Sequence, residues 1–187
     1  SIFAFSFARR SRAQARLLEE QAIRDPLTGA GNRRALEEEL CIAIARVQRR
    51  ESGAGLLMLD LDHFKEINDR YGHANGDEVL KRFADLVRTH SRHEDRLFRF
   101  GGEEFVLLLN NVRDESMILA ARHIQQTIRD RLNTHGQPVT CSIGAALASP
   151  HDDWESWLHR ADNAVYQAKT WGRDTIIVAD HLPAGRR

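Results

Sequence analysis

Asp60 ends the apolar run Leu56-Leu57-Met58-Leu59. A carboxylate at the end of a buried strand is costly unless a positive partner sits beside it. A divalent metal is a common partner where triphosphates are handled, because Mg²⁺ prefers one or two carboxylates together with phosphate oxygens. A surface acid just past the sheet edge would look the same in sequence, and Asp62 reads as the N-cap of the next helix. Gly101-Gly102-Glu103-Glu104 is a second acidic element. Two glycines between strands supply the positive φ angles of a tight hairpin, and a tip without Cβ atoms lets a nucleotide approach the backbone. If Glu103 faces Asp60, the two form a carboxylate pair of the kind used in two-metal nucleotidyl transfer. Exposed acidic turns are common, so the hairpin alone does not decide between these readings.

The surrounding elements follow from periodicity. Asn32 caps a helix whose buried face reads Leu36, Leu40, Ala43, Ile44, Val47, with Glu37, Glu38 and Glu39 early and Arg46, Arg49 and Arg50 late, as the helix dipole favours. Gly53 and Gly55 are expected to end it. Leu56 to Leu59 reads as a central strand buried on both faces. A helix to about Tyr71 follows, then a loop bearing Gly72 and Gly76, then a helix on Val79, Leu80, Phe83, Leu86 and Val87. Leu97 to Phe100 and Phe105 to Leu109 are strands joined by the glycine hairpin. A helix on Met117, Ala121, Ile124, Ile128 and Leu132, a strand from Val139 to Ala148, a helix on Trp154, Leu158, Ala161, Val165 and Ala168, and a strand from Thr175 to Ala179 complete the chain. Alternating helices and strands place the fold in the α/β or α+β class with one central sheet.

Of 187 residues, 42% are hydrophobic and 29% charged, which excludes pervasive disorder. Lys+Arg and Asp+Glu both count 27, so the basic excess of a protein that grips a nucleic acid polymer is missing. Cys41 and Cys141 cannot build a disulfide scaffold; both lie in apolar sequence, which fits a reducing compartment. Residues 1–24 carry Arg9, Arg10, Arg12, Arg16 and Arg24 against Glu19 and Glu20, a net of +3. The apolar opening, Ile2 to Ala8, is too short for a bilayer, which needs about 20 residues. An apolar run followed at once by arginines is nevertheless what the cytoplasmic end of a membrane helix looks like, and a signal peptide has the opposite order. A fraying helix end is the alternative. Residues 9–24 are helix-prone, with a weak seam of Ala8, Ser11, Ala15, Leu18 and Ala22 suited to a stalk or coiled-coil linker. Asp25-Pro26 breaks it, leaving residues 25–180 as the main domain and 181–187 as a tail.

Several ordered motifs resemble those of the GGDEF-domain diguanylate cyclases. Gly101-Gly102-Glu103-Glu104-Phe105 has the GGEEF form of the family signature. Asp25-Pro26-Leu27-Thr28-Gly29 with Asn32-Arg33-Arg34 is similar to its opening motif. Asp60-Leu61-Asp62-His63-Phe64-Lys65, Asn68-Asp69, Tyr71-Gly72-His73 and Gly76-Asp77 match its second block, and Ala161-Asp162, Tyr166, Ala168-Lys169 and Gly172-Arg173 its closing helix. Ala30, where the family usually has Leu, and Asp174, where Asn is frequent, are departures.

The resemblance implies a single, mostly antiparallel sheet flanked by helices in a palm-like architecture, with an N-terminal helical stalk. It implies that Asp60, Glu103 and the Leu61 carbonyl hold two Mg²⁺ (or Mn²⁺) ions on GTP, and that Glu104 assists as an acid–base group. Asn68 and Asp77 are implied to read guanine, since amide and carboxylate match its polar edge. Phe64, Lys65, His73, Arg99, Gly101, Gly102, Lys169 and Arg173 are implied to line the substrate, with Lys169 and Arg173 four apart on one helical face and reaching the phosphates. Two GTP become cyclic di-GMP and two pyrophosphates across a homodimer holding one GTP per monomer. Arg92 and Asp95, with five residues between Asp95 and the hairpin, match an inhibitory product site. The implied setting is the bacterial cytoplasmic side of an inner-membrane protein with an upstream sensor. The rival functions are a catalytically weak GTP or cyclic di-GMP receptor, a purine cyclase or polymerase of the same palm-like architecture making another nucleotide, and a structural dimerisation module.

Overall fold

The computed structural model describes residues 23–179. The apolar opening, most of the stalk-like segment and the tail lie outside the described residues. Among the described residues no helix is long and apolar enough to cross a membrane.

The elements run α1 (Arg33–Gln48), β1 (Ala54–Leu61), α2 (Phe64–Tyr71), α3 (His73–Thr89), β2 (Arg96–Gly101), β3 (Glu104–Asn110), α4 (Asp114–Arg131), β4 (Asn133–Thr134), β5 (Gln137–Pro138), β6 (Cys141–Leu147), α5 (Trp154–Thr170) and β7 (Ile176–Val178). Five strands form one sheet in the order β2-β3-β1-β6-β7. Every pairing is antiparallel except β6 with β7. β1 therefore sits at the centre, and all eight of its residues are buried.

Its alternate side chains feed two cores, because successive strand residues point to opposite faces. Leu57, Leu59 and Leu61 join Phe83, Phe105, Ile124 and Ile143 under α2, α3 and α4. Leu56 and Met58 join Leu36, Leu40, Val106 and Trp157 under α1 and α5. Trp157 is fully buried and donates its indole N–H to the Ala146 carbonyl at 2.9 Å, which pins α5 to β6. Asn32 caps α1 as expected, accepting from the Ala35 amide at 3.0 Å.

Several boundaries differ from expectation. α1 stops before Gly53 and Gly55: Arg50 takes the left-handed conformation, and Gly55 lies within β1. The loop expected around Gly72 and Gly76 shrinks to Gly72, because Gly76 is inside α3. There it serves close approach; a Cβ would lie 1.9 Å from Asn68 Oδ1. The β4–β5 ribbon gives no periodic signal, being two residues per strand. Cys141 is buried but Cys41 is exposed on α1.

Candidate active site

Strand register brings the acids together. Asp60 lies directly opposite Glu104 on β3, and the Leu61 amide donates to the Glu103 carbonyl at 3.3 Å. The hairpin tip uses one positive-φ glycine, Gly102 at +33°; Gly101 belongs to β2. A register shift between Arg99 and Gly101 marks a bulge, a device that re-aims side chains at the end of a strand.

Asp60 is 3% exposed. Its Oδ2 accepts from Lys169 Nζ at 2.7 Å, while Oδ1 is buried with no partner. Burial pushes its carboxyl above the ordinary value; Lys169 offsets part of this, and the Glu103 and Asp62 charges reinforce it. Glu104 is raised too, by burial first and then by Asp60 and Asp162. This is an electrostatically frustrated cluster with an unused buried oxygen, and such a donor set fits a divalent cation. Among the described residues no three His, Cys, Asp or Glu side chains form a closed metal cage. A site of two carboxylates and a backbone carbonyl, completed by phosphate oxygens, needs none.

Beside the acids, α2 begins at Phe64 after His63, which is left-handed and makes no side-chain cap bond. The Phe64 ring is packed in the core, whereas Lys65 is exposed. Asn68 packs against Gly76 across the α2–α3 contact, and its Oδ1 is buried without a partner. Asp77 and His73 are exposed on the first turns of α3.

Two expected placements change. Arg99 is engaged behind the hairpin: it donates to the Gly102 carbonyl at 2.7 and 3.0 Å and pairs with Asp25 at 3.1 Å. It supports the loop rather than offering a free cation. Lys169 and Arg173 do not share a helical face, because α5 ends at Thr170. Arg173 lies in a following turn where Gly172, Arg173 and Asp174 have φ of 113°, 66° and 44°. Left-handed geometry costs a non-glycine residue about 1 kcal/mol, so the turn needs outside support.

That support was invisible in sequence. Asp62 caps nothing; it is 2% exposed. Its Oδ1 accepts from Ser142 Oγ at 2.7 Å, and its Oδ2 from Thr140 Oγ1 at 2.7 Å and from the Asp174 amide at 2.9 Å. Asp25 is a second missed partner. Burial opposes its charge, but the Thr28 hydroxyl and amide and Arg99 outweigh that and hold its carboxyl below the ordinary value. Adjacent Asp-x-Leu-Thr letters hint at the Thr28 turn, but nothing local points to Arg99.

Arg92 and Asp95 lie away from the acids, on a cleft of about 640 Å³ also lined by Arg24, Glu38, Arg88 and Arg96. Asp95 accepts from the Arg92 amide at 3.0 Å and the Asn110 amide at 3.2 Å. Burial raises its carboxyl against those two bonds.

Residues 22–175 match the family model described as diguanylate cyclase, GGDEF domain. Diguanylate cyclase DgcS of Shewanella oneidensis is 42% identical over 158 residues, 82% of this chain and 52% of that protein. The response regulator PleD of Caulobacter vibrioides is 38% identical over 164 residues, 84% of this chain and 36% of PleD. The chain thus spans about half or less of these relatives. The coiled coil and GGDEF domain of DgcB from Caulobacter crescentus, in complex with c-di-GMP, superposes with a TM-score of 0.88 at 27% identity, covering 94% of this chain and 95% of that one. The active GGEEF domain of a Vibrio cholerae diguanylate cyclase gives 0.75 at 30% identity, covering 81% and 98%. By its motifs, its sheet and these likenesses, the chain belongs to the GGDEF-domain diguanylate cyclase family.

Proposed function

We propose that this domain condenses two GTP molecules into cyclic di-GMP, releasing two pyrophosphates. The observation that carries the proposal is the orphaned, buried Asp60 Oδ1 beside Glu103 and Glu104, with Lys169 as the adjacent cation. Asp60, Glu103 and the Leu61 carbonyl would hold two Mg²⁺ or Mn²⁺ ions, whose charge, when bound, lowers the pKa of the attacking 3′-hydroxyl and stabilises charge on the phosphates.

The chain's own groups supply the rest. The uncapped first turn of α2 and Lys65 receive phosphate oxygens. Lys169 and Arg173 neutralise the leaving pyrophosphate. Asn68 Oδ1, buried and unpartnered, accepts from a guanine N–H, and Asp77 takes a second. Adenine would leave these acceptors unmatched, which costs orders of magnitude in discrimination. Glu104, its carboxyl raised, takes the hydroxyl proton. The 3′-oxygen of one GTP forms a bond to the α-phosphorus of the other, whose bond to pyrophosphate breaks, and the step repeats to close the ring. One GTP per domain requires two domains face to face, so turnover is a property of the homodimer. The Arg92–Asp95 cleft binds product and slows turnover by holding domains apart.

The test is incubation with GTP and Mg²⁺, followed by nucleotide separation. Cyclic di-GMP should form, with activity rising faster than linearly with enzyme concentration. GTP binding without product would return the receptor function in its place. In calorimetry, cyclic di-GMP should bind the unmutated chain and not Arg92→Ala.

A further inference from the structure

Among the described residues, Asp62 is the one buried acid next to the site that touches neither the acid cluster's cation nor a helix end. It joins three separate segments: β1, the start of β6 through Thr140 and Ser142, and the turn after α5 through the Asp174 amide. The turn is otherwise held by the Asp174 carboxylate on Arg129 of α4, at 2.9 Å, and by the Arg173 amide on the Ala168 carbonyl. Arg173 stands between these anchors, exposed, with its backbone in the left-handed region. A residue in that conformation persists only where its surroundings over-determine it.

We infer that Asp62 is a positioning residue for phosphate binding: by accepting the Asp174 amide it fixes the turn that presents Arg173 to the triphosphate. The inference rests on the phosphate-binding role proposed for Arg173. Toward Arg173 Asp62 acts through shape, because its acceptor bonds all go to protein groups, the Ser142 and Thr140 hydroxyls and the Asp174 amide. An acceptor oxygen at that point is what matters, so Asn can replace it. Its carbonyl oxygen takes the Asp174 amide, and its NH₂ donates to a hydroxyl that can also accept.

Calorimetry on the full chain with two probes separates this role from a general structural one: guanosine 5′-(α,β-methylene)triphosphate and guanosine. Arg173→Ala should weaken the triphosphate about tenfold, the scale of a lost hydrogen bond to a charged group, and leave guanosine unchanged. Asp62→Ala should weaken the triphosphate about fivefold, again with guanosine unchanged, and Asp62→Asn should restore it to within about twofold. Combined with Arg173→Ala, Asp62→Ala should add nothing, since residues acting through one contact are not additive. Thr140→Val, isosteric and free of the folding risk of Asp62→Ala, should move the same ratio in the same direction by about twofold. Equal loss of both probes, additivity with Arg173→Ala, or an unmoved ratio in Thr140→Val would each overturn the inference. An Arg173→Ala effect without an Asp62→Ala effect overturns it while leaving the proposed site intact; no effect in either overturns both.

Discussion

Two carboxylate–cation pairs on α5 have opposite characters. Toward its N-terminal end Arg160 meets Asp152, with side chains 6% and 8% exposed. Both oxygens of Asp152 are used, Oδ2 by the Ser149 amide and Arg160 and Oδ1 by Ser156 Oγ. Arg160 donates as well to the Leu147 carbonyl, although its Nη1 is left over. In the last turn Lys169 meets Asp60, with side chains 33% and 4% exposed. Here one carboxylate oxygen has nothing, and Glu103 and Asp62 push against the charge. In the first pair both carboxylate oxygens are closed by hydrogen bonds, and the pair holds the loop before α5. The second keeps lone pairs out of water without a partner, a cost that a fold retains where a ligand completes the set.

The widest test of this contrast is on turnover. Asp60→Asn and Glu103→Gln should cut synthesis by about a thousandfold or more, since several kcal/mol of transition-state stabilisation go with each metal ligand, while far-UV circular dichroism stays unchanged. A variant keeping more than about a tenth of the rate would remove that residue from the metal site. Asp152→Ala should do the reverse. It leaves Arg160 buried and uncompensated, so urea unfolding should show a loss of about 3 kcal/mol, with the rate per folded molecule preserved. Loss of turnover without loss of stability there would erase the distinction between the pairs.

Asn68→Ala should weaken GTP about tenfold by calorimetry, the scale of one hydrogen bond to a buried acceptor, without affecting the Mg²⁺-induced rise in melting temperature that Asp60→Asn should abolish. Unchanged GTP affinity would end the guanine-reading role. The smallest effect concerns Asp25, which is paired like Asp152 but supports the hairpin. Its carboxyl is held below 3.8 in the folded chain. The unfolded chain therefore takes up the proton first; the stabilisation is complete above pH 3.8 and is lost as pH falls through the lowered value. Asp25→Asn should flatten that acid limb in thermal melts, and a limb identical to the parent's would show that the Asp25–Arg99 pair contributes nothing.

Much of the fold was legible because its signals are local. The 3.6-residue spacing of Leu36, Leu40 and Val47, the unbroken run at Leu56 to Leu59 and the Asn32 cap each act within a few residues. The acids proposed to hold the metal were legible as letters, since Gly101-Gly102-Glu103-Glu104 and Asp60 stand in ordered motifs. Where the local signal was ambiguous it misled: an Asp before a helix reads as a cap, and a Gly reads as a loop, yet Asp62 is a buried junction and Gly76 lies within a helix. What the tertiary structure alone decided is which groups satisfy which. Lys169 reaches Asp60 across 109 residues, Asp174 reaches Asp62 across 112, and Arg99 reaches Asp25 across 74. Hydrogen bonds and ion pairs at such separations leave no periodic trace in a chain. They arise only once burial against a common sheet has removed water and left each polar atom to find a partner or, as at Asp60 and Asn68, to go without one.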